Sequence, residues 1–154
     1  MDDNNLSQNE IDDKYAQTKE ELAHNLPTNS RRDKRISIID DDYQITHVLD
    51  YELTKIGYTV ARAQNADDGI AIIAGDQPDL VILDMAMPGK DGEAMLKELR
   101  TYDWGKDVPV LIYSNYDEYV RLAEDPKLAP VKYAAKTKYS IDEMVNIIEG
   151  LLGE

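Results

Sequence analysis

The stretch Leu80-Val81-Ile82-Leu83 limits the possible folds of this chain more than any other feature. Every one of its four side chains is apolar. A strand with one wet face alternates polar and apolar positions, so a strand with no polar position must be covered on both faces. That is the signature of a parallel sheet between two layers of helices. The flanking sequence fits. Ile36-Ser37-Ile38-Ile39, Tyr58-Thr59-Val60-Ala61, Val108 to Tyr113 and Val131 to Ala135 read as four more strands, with Pro109 acceptable only near a strand start. Helical spacing fills the gaps. Ile45, Val48, Leu49, Leu53 and Ile56 form one stripe, stopped by Gly57. Ala66 to Ala74 forms a second helix closed by Gly75, and Glu93 to Tyr102 a third with Met95, Leu96 and Leu99 facing inward. Residues 116–124 read as a fourth. Ser140 caps a fifth that carries Ile141, Met144, Val145, Ile147, Ile148, Leu151 and Leu152. Five strands alternating with five helices predict an α/β protein with a doubly wound sheet.

Residues 1–34 stand apart from residues 35–154. They are polar, include Pro27 and end in Arg31-Arg32-Asp33-Lys34. Ser7 to Glu10 has capping-box spacing, and Ile11, Tyr15, Thr18 and Leu22 recur at helical steps, a thin stripe for a helix standing alone. The extension reads either as a solvated tail with nascent helix or as a docking or dimerisation helix. The remaining 120 residues suffice for one domain with a real core. There is no cysteine, which excludes disulfides and thiolate metal sites. No apolar run reaches the roughly 20 residues of a membrane-spanning helix, and the acidic start lacks the features of a signal peptide. A net charge of −14 disfavours nucleic acid and anionic membranes as partners. A cytoplasmic protein is expected.

In a doubly wound sheet, sites form beyond the carboxyl ends of the strands. Asp40 and Asp41 follow the first strand, Asp84 the third, Ser114 the fourth and Lys136 the fifth. Three acids, a hydroxyl and an amine are therefore predicted to converge. Clustered carboxylates repel one another unless a cation intervenes. An all-oxygen donor set favours a hard ion, and Mg2+ needs only one or two carboxylates plus phosphate oxygens. Three negative charges, one lysine and one divalent cation sum to zero. A positioned carboxylate can accept a phosphoryl group as an acyl phosphate, with the metal and Lys136 offsetting the developing charge and Ser114 donating a hydrogen bond. Neither His24 nor His47 falls at a strand end, so neither is needed.

The motifs Ile38-Ile39-Asp40-Asp41-Asp42, Leu83-Asp84-Met85-Ala86-Met87-Pro88-Gly89-Lys90-Asp91-Gly92, Ile112-Tyr113-Ser114 and Tyr133-Ala134-Ala135-Lys136 together resemble the receiver domain of bacterial two-component response regulators. The likeness runs from about Arg35 to Leu152. Each motif alone is weak, but the four in this order and spacing are specific. The resemblance implies the flavodoxin-like strand order 2-1-3-4-5. It implies Asp84 as phosphoacceptor, and Mg2+ bound by Asp41, Asp84 and the backbone carbonyl of Ala86, with Asp40 acting mainly through water. Lys136 would pair with the phosphoryl group or with Asp84. Ser114 would move toward the phosphoryl group and Tyr133 would change rotamer with it. The donor would be a phosphohistidine on a sensor histidine kinase or phosphotransfer protein. A separate output protein would read the result, and the receiver itself would be a monomer or a phosphorylation-linked dimer rather than a turnover enzyme.

Some positions depart from the pattern. Asn115 stands where a small residue is common, and Thr137 where proline is frequent. Ala86 and Tyr116, each two past a motif residue, flank the path of attacking water in the family. Two other functions compete: a pseudo-receiver that binds a partner constitutively, and a metal-dependent phosphatase with an aspartyl-phosphate intermediate. The second fits poorly, because Tyr43 replaces the usual threonine or valine and Leu83-Asp84 is left unexplained. The chain has ten tyrosines and no phenylalanine. Tyr113, Tyr116, Tyr119, Tyr133 and Tyr139 read either as core residues with wet hydroxyls or as a partner surface. Asp42 reads as a helix cap or a surface charge, Lys138 as solvated, and Asp91-Gly92 as a turn exploiting glycine's freedom.

Overall fold

The computed structural model describes residues 33–153, together with Ser7, Asn9, Asp13 and Gln17. The proposed N-terminal stripe and His24 lie outside the described residues. Five strands form one parallel sheet: β1 (Arg35–Ile39), β2 (Thr59–Ala63), β3 (Leu80–Leu83), β4 (Val110–Ser114) and β5 (Val131–Ala135). Their order is β2-β1-β3-β4-β5. The helices are α1 (Tyr43–Lys55), α2 (Ala66–Asp76), α3 (Gly92–Leu99), α4 (Val120–Glu124) and α5 (Ile141–Leu151). The fold is the flavodoxin-like α/β sandwich expected from the sequence.

Side-chain alternation divides the core in two. Val81 and Leu83 join Ile39, Met95, Leu96 and Ile112 in one cluster, beneath α2, α3 and α4. Leu80 and Ile82 join Ile36, Ile38, Leu49 and Met144 in the other, beneath α1 and α5. Thus β3 is buried on both faces, as its composition demands. Helix starts are capped as their sequences suggest. The Asp42 carboxylate accepts from the amides of Gln44 and Ile45 at α1, and Ser140 accepts from Glu143 at α5.

Several boundaries differ from expectation. Helix α2 passes through Gly75 to Asp76, and the left-handed residue that ends it is Gln77, at φ 46°. β2 runs from Thr59 to Ala63 rather than beginning at Tyr58, which is buried just ahead of it. β4 starts only at Val110, because Pro109 has no amide to give the ladder. Helix α3 stops at Leu99, short of Tyr102, and residues 116–124 divide into a 3-10 turn (Asp117–Tyr119) and the short α4. Val48 and Leu151, assigned to apolar stripes, are exposed at 43% and 39%. On α1 the buried face instead takes in Thr46 and Asp50. Asp50 is paired there with Arg62 at 3.1 Å and accepts from Thr54 at 2.9 Å, which makes its burial tolerable.

Candidate functional site: an acidic pocket at the carboxyl edge of the sheet

Backbone bonds fix the site residues just beyond the strand ends. The Asp40 amide donates to Ala63 O at 3.0 Å, the Asp84 amide to Ile39 O at 2.9 Å and the Lys136 amide to Ser114 O at 2.9 Å. Gly92 adds a steric condition at the start of α3. A Cβ there would press on the Asp84 carbonyl and lie 2.7 Å from Met85 Cα. Its value is this close approach, not the conformational freedom expected of a turn glycine.

Asp40, Asp41 and Asp84 converge, with one carboxylate oxygen from each within 4.8 Å of the others. Asp40 and Asp84 are buried, at 3% and 5% exposure, while Asp41 is exposed. Lys136 reaches in from the end of β5. Its Nζ lies 2.7 Å from Asp40 Oδ2 and 3.5 Å from Asp84 Oδ1. The tighter partner is therefore Asp40, where the resemblance implied Asp84. The second Asp40 oxygen accepts from the Asp42 amide at 2.8 Å.

Electrostatics follow from crowding. Burial pushes the Asp40 carboxyl up to about 6, and Asp84 adds to the rise, against the lowering effects of Lys136 and the Asp42 amide. For Lys136, burial opposes the charge, but the hydrogen bonds and attraction from Asp40 and Asp84 together outweigh it and raise the ammonium above its ordinary value.

Ser114 is fully buried, and its Oγ accepts from the Tyr116 amide at 3.3 Å. The half-buried Tyr133 hydroxyl donates toward Ser114 O at 3.5 Å and Asp117 Oδ1 at 3.4 Å, so it sits on the same short turn. Ala86 is exposed two residues past Asp84. Asn115 is exposed beside Ser114, and Tyr116 is 53% exposed. Among the described residues the one cis peptide is Ala129–Pro130, so Lys136–Thr137 is trans. His47 is half-buried on α1 against the Tyr43 ring.

Two contributors were not read from the sequence as part of the site. Tyr113 is buried, with its ring 5.6 Å from Lys136 Nζ. Its place one residue before Ser114 was visible, but nothing in the sequence signalled contact with the lysine. Lys90, in the loop after Asp84, bridges Asp67 at 2.9 Å and Glu98 at 2.7 Å, tying that loop to α2 and α3.

All donors in the cluster are carboxylate oxygens, and one lysine offsets only part of the charge of three acids. This set fits a hard divalent cation of the Mg2+ type. No helix among the described residues is long and apolar enough to cross a membrane.

Comparison with known proteins agrees with this geometry. Sporulation initiation phosphotransferase F of Bacillus subtilis is 33% identical over 119 residues, covering 77% of this chain and 94% of that protein. The transcriptional regulatory protein KdpE of Staphylococcus aureus is 33% identical over 118 residues, covering 75% of this chain but 49% of that protein. Among solved structures, the response regulator TrrA of Thermotoga maritima, in complex with Mg2+ and BeF, aligns with a TM-score of 0.64 at 30% identity, covering 77% of this chain and 98% of that one. A chemotaxis response regulator of Vibrio cholerae aligns with a TM-score of 0.68 at 19% identity over 77% of this chain and 98% of that one, a likeness of fold. The family model described as the response regulator receiver domain matches residues 36–149, which takes in all four motifs, and the chain belongs to that family of two-component signalling proteins.

Proposed function

We propose that this protein is a phosphorylation-dependent switch in which Asp84 accepts a phosphoryl group from a phosphohistidine. The observation that carries the reading is the meeting of Asp40, Asp41 and Asp84 within 4.8 Å beside the buried Lys136 ammonium. An Asp84 carboxylate oxygen forms the new bond to phosphorus as the phosphorus–nitrogen bond to the donor imidazole breaks. The imidazole leaves with the bonding pair and takes up a proton. Asp41, Asp84 and the Ala86 carbonyl would hold Mg2+, with Asp40 acting through water. When bound, the ion supplies positive charge against the carboxylates and the phosphoryl oxygens.

Lys136 follows the charge, passing from its carboxylate partners to a phosphoryl oxygen. Ser114 donates a hydrogen bond from its hydroxyl to another. The turn after β4 then rearranges, since Ser114 Oγ presently holds the Tyr116 amide, and Tyr133 changes rotamer as its Ser114 and Asp117 partners shift. A separate protein reads the altered surface. The likeness to a Bacillus phosphotransferase that this chain matches over 94% of its length supports such a relay role. A sensor histidine kinase or phosphotransfer protein supplies the phosphoryl group. Residues 1–34 form an extension to the receiver, whose oligomeric state is monomer or phosphorylation-linked dimer.

Intact mass after incubation with Mg2+ and acetyl phosphate tests the reading. Wild type gains one phosphoryl mass, and neither Asp84→Asn nor wild type in a chelator does. No gain in wild type, with a phosphohistidine donor also tried, would overturn the switch in favour of a constitutive binding module.

A further inference from the structure

Lys136 is the one cation among the described groups of the pocket, and it hangs on a flexible four-carbon stem. Three contacts fix its ammonium: Asp40 Oδ2 at 2.7 Å, Asp84 Oδ1 at 3.5 Å and the face of the Tyr113 ring, whose centroid lies 5.6 Å away. The first two are the groups whose charge and partners change in the reaction proposed above. The third does not change. Tyr113 is 4% exposed and belongs to the core cluster with Ile38, Ala134 and Met144, so close packing fixes its ring. A cation within about 6 Å of an aromatic centroid is attracted by the ring's negative face, more so where both are withdrawn from water. The Lys136 side chain is only 9% exposed.

We propose that Tyr113 is a positioning residue for the phosphoryl-transfer site, its ring forming a fixed seat that keeps the Lys136 ammonium beside Asp84 while the lysine's anionic partners are rearranged. The proposal rests on the role of Lys136 given above. The face of the ring, not its hydroxyl, does this, so phenylalanine substitutes for tyrosine and an aliphatic residue of similar bulk does not. Without the seat the stem retains its reach but samples other rotamers, including ones directed at Asp40 alone.

The test uses the whole chain as wild type, Tyr113→Phe, Tyr113→Leu, Tyr113→Met, Lys136→Ala and Tyr113→Leu combined with Lys136→Ala. Two readouts are taken: the rate of phosphoryl incorporation from acetyl phosphate with Mg2+, and the NMR shifts of the Lys136 side-chain methylenes. The ring current displaces those methylene signals upfield in wild type and Tyr113→Phe, and the displacement is lost in the Leu and Met variants. Incorporation in Tyr113→Phe stays within about twofold of wild type, while Tyr113→Leu and Tyr113→Met slow about 5- to 10-fold, the range a partly desolvated cation–ring contact supports. Mg2+ affinity by calorimetry changes less than about twofold, because the metal's ligands are untouched. The Tyr113→Leu change has no added effect in the Lys136→Ala background.

A Tyr113→Phe rate as low as that of Tyr113→Leu would overturn the proposal, as would an equal loss on Tyr113→Leu with and without Lys136. Absence of the ring-current shift in wild type would also overturn it, whatever the chemistry. If wild type showed the shift but took up no phosphoryl group, the seat would stand and the function proposed for the pocket would fall.

Discussion

The two edges of the sheet are built on opposite electrostatic terms. At the edge where the strands begin, one guanidinium gathers four carbonyls. Arg100 donates to Leu128 O at 2.8 Å, Gly105 O at 2.8 Å, Val108 O at 2.7 Å and Pro130 O at 3.0 Å. Arg35, at the same edge, donates its amide to Asp79 and its guanidinium to Asp76 O. At the edge where the strands end, three carboxylates cluster, two of them share one lysine, and burial drives the Asp40 carboxyl up to about 6. One edge satisfies its polar groups and closes the fold. The other holds Asp40, whose charge is opposed by burial first and by Asp84 second, a cost that a cation or a proton relieves, which is the signature of a site rather than of a scaffold.

The largest expected effect comes from breaking the satisfied edge. Arg100→Ala removes four hydrogen bonds that join the α3–β4 and α4–β5 connections, with only Pro130 O keeping a bond from the Val110 amide, and hydrogen bonds to a charged group contribute about 1.5–3 kcal/mol each without adding fully. A loss of about 3 kcal/mol or more is expected in urea unfolding. Arg100→Lys recovers only part of it, because an ammonium lacks the planar fork that reaches carbonyls on two loops. A loss below about 1 kcal/mol would erase the contrast between the edges.

The site edge yields a smaller effect with the opposite sign. The folded value of Asp40, about 6, lies above its ordinary 3.8. The folded protein therefore holds this proton more tightly than the unfolded chain. The Asp40 contribution to stability is greatest at low pH and declines as pH rises from about 4 through 6, after which it is constant. After discounting for solvent screening the decline is about 2 kcal/mol. Urea unfolding in a chelator at pH 4, 5, 6 and 7, compared between wild type and Asp40→Asn, isolates it: the variant lacks that component of the slope. A wild-type profile parallel to that of Asp40→Asn would show that Asp40 carries no such burial penalty.

How much of this was readable in advance differs between the edges too. The pocket was legible because Asp40, Asp41, Asp84 and Lys136 each follow a strand and Ser114 ends one, and the apolar run Leu80–Leu83 showed that those strands lie parallel under two helical layers. The strand order came with the family resemblance, since alternation of strands and helices does not say which side each crossover takes. Arg100 was not legible. Its acceptors are backbone carbonyls 5, 8, 28 and 30 residues away, and carbonyls carry no sequence signature. The buried Asp50 was hidden by distance along the chain, since its partner Arg62 sits on the next strand. The stop expected at Gly75 failed for a different reason. A glycine inside a helix costs only about 1 kcal/mol, and α2 runs through it to Asp76.

The smallest effect lies between the edges. Ser37, midway along β1, is 1% exposed, and its buried hydroxyl makes no hydrogen bond. Its neighbours Ile36 and Ile38 point into the α1/α5 core, so alternation sends Ser37 to the same face as Ile39, among the apolar residues beneath α2 and α3. An unpaired hydroxyl in such a place is a net cost, and removing it leaves little space behind. Ser37→Ala is therefore expected to stabilise the protein by about 1 kcal/mol, with phosphoryl incorporation at Asp84 unchanged. Because this cost arises from desolvation alone, it should not vary between pH 4 and 7, unlike the Asp40 contribution. A stability gain that tracked pH would mean that the strain of the carboxyl edge extends down β1 into the core. A loss of stability would mean that the hydroxyl has a bound water as partner, and that polar satisfaction reaches the middle of the sheet.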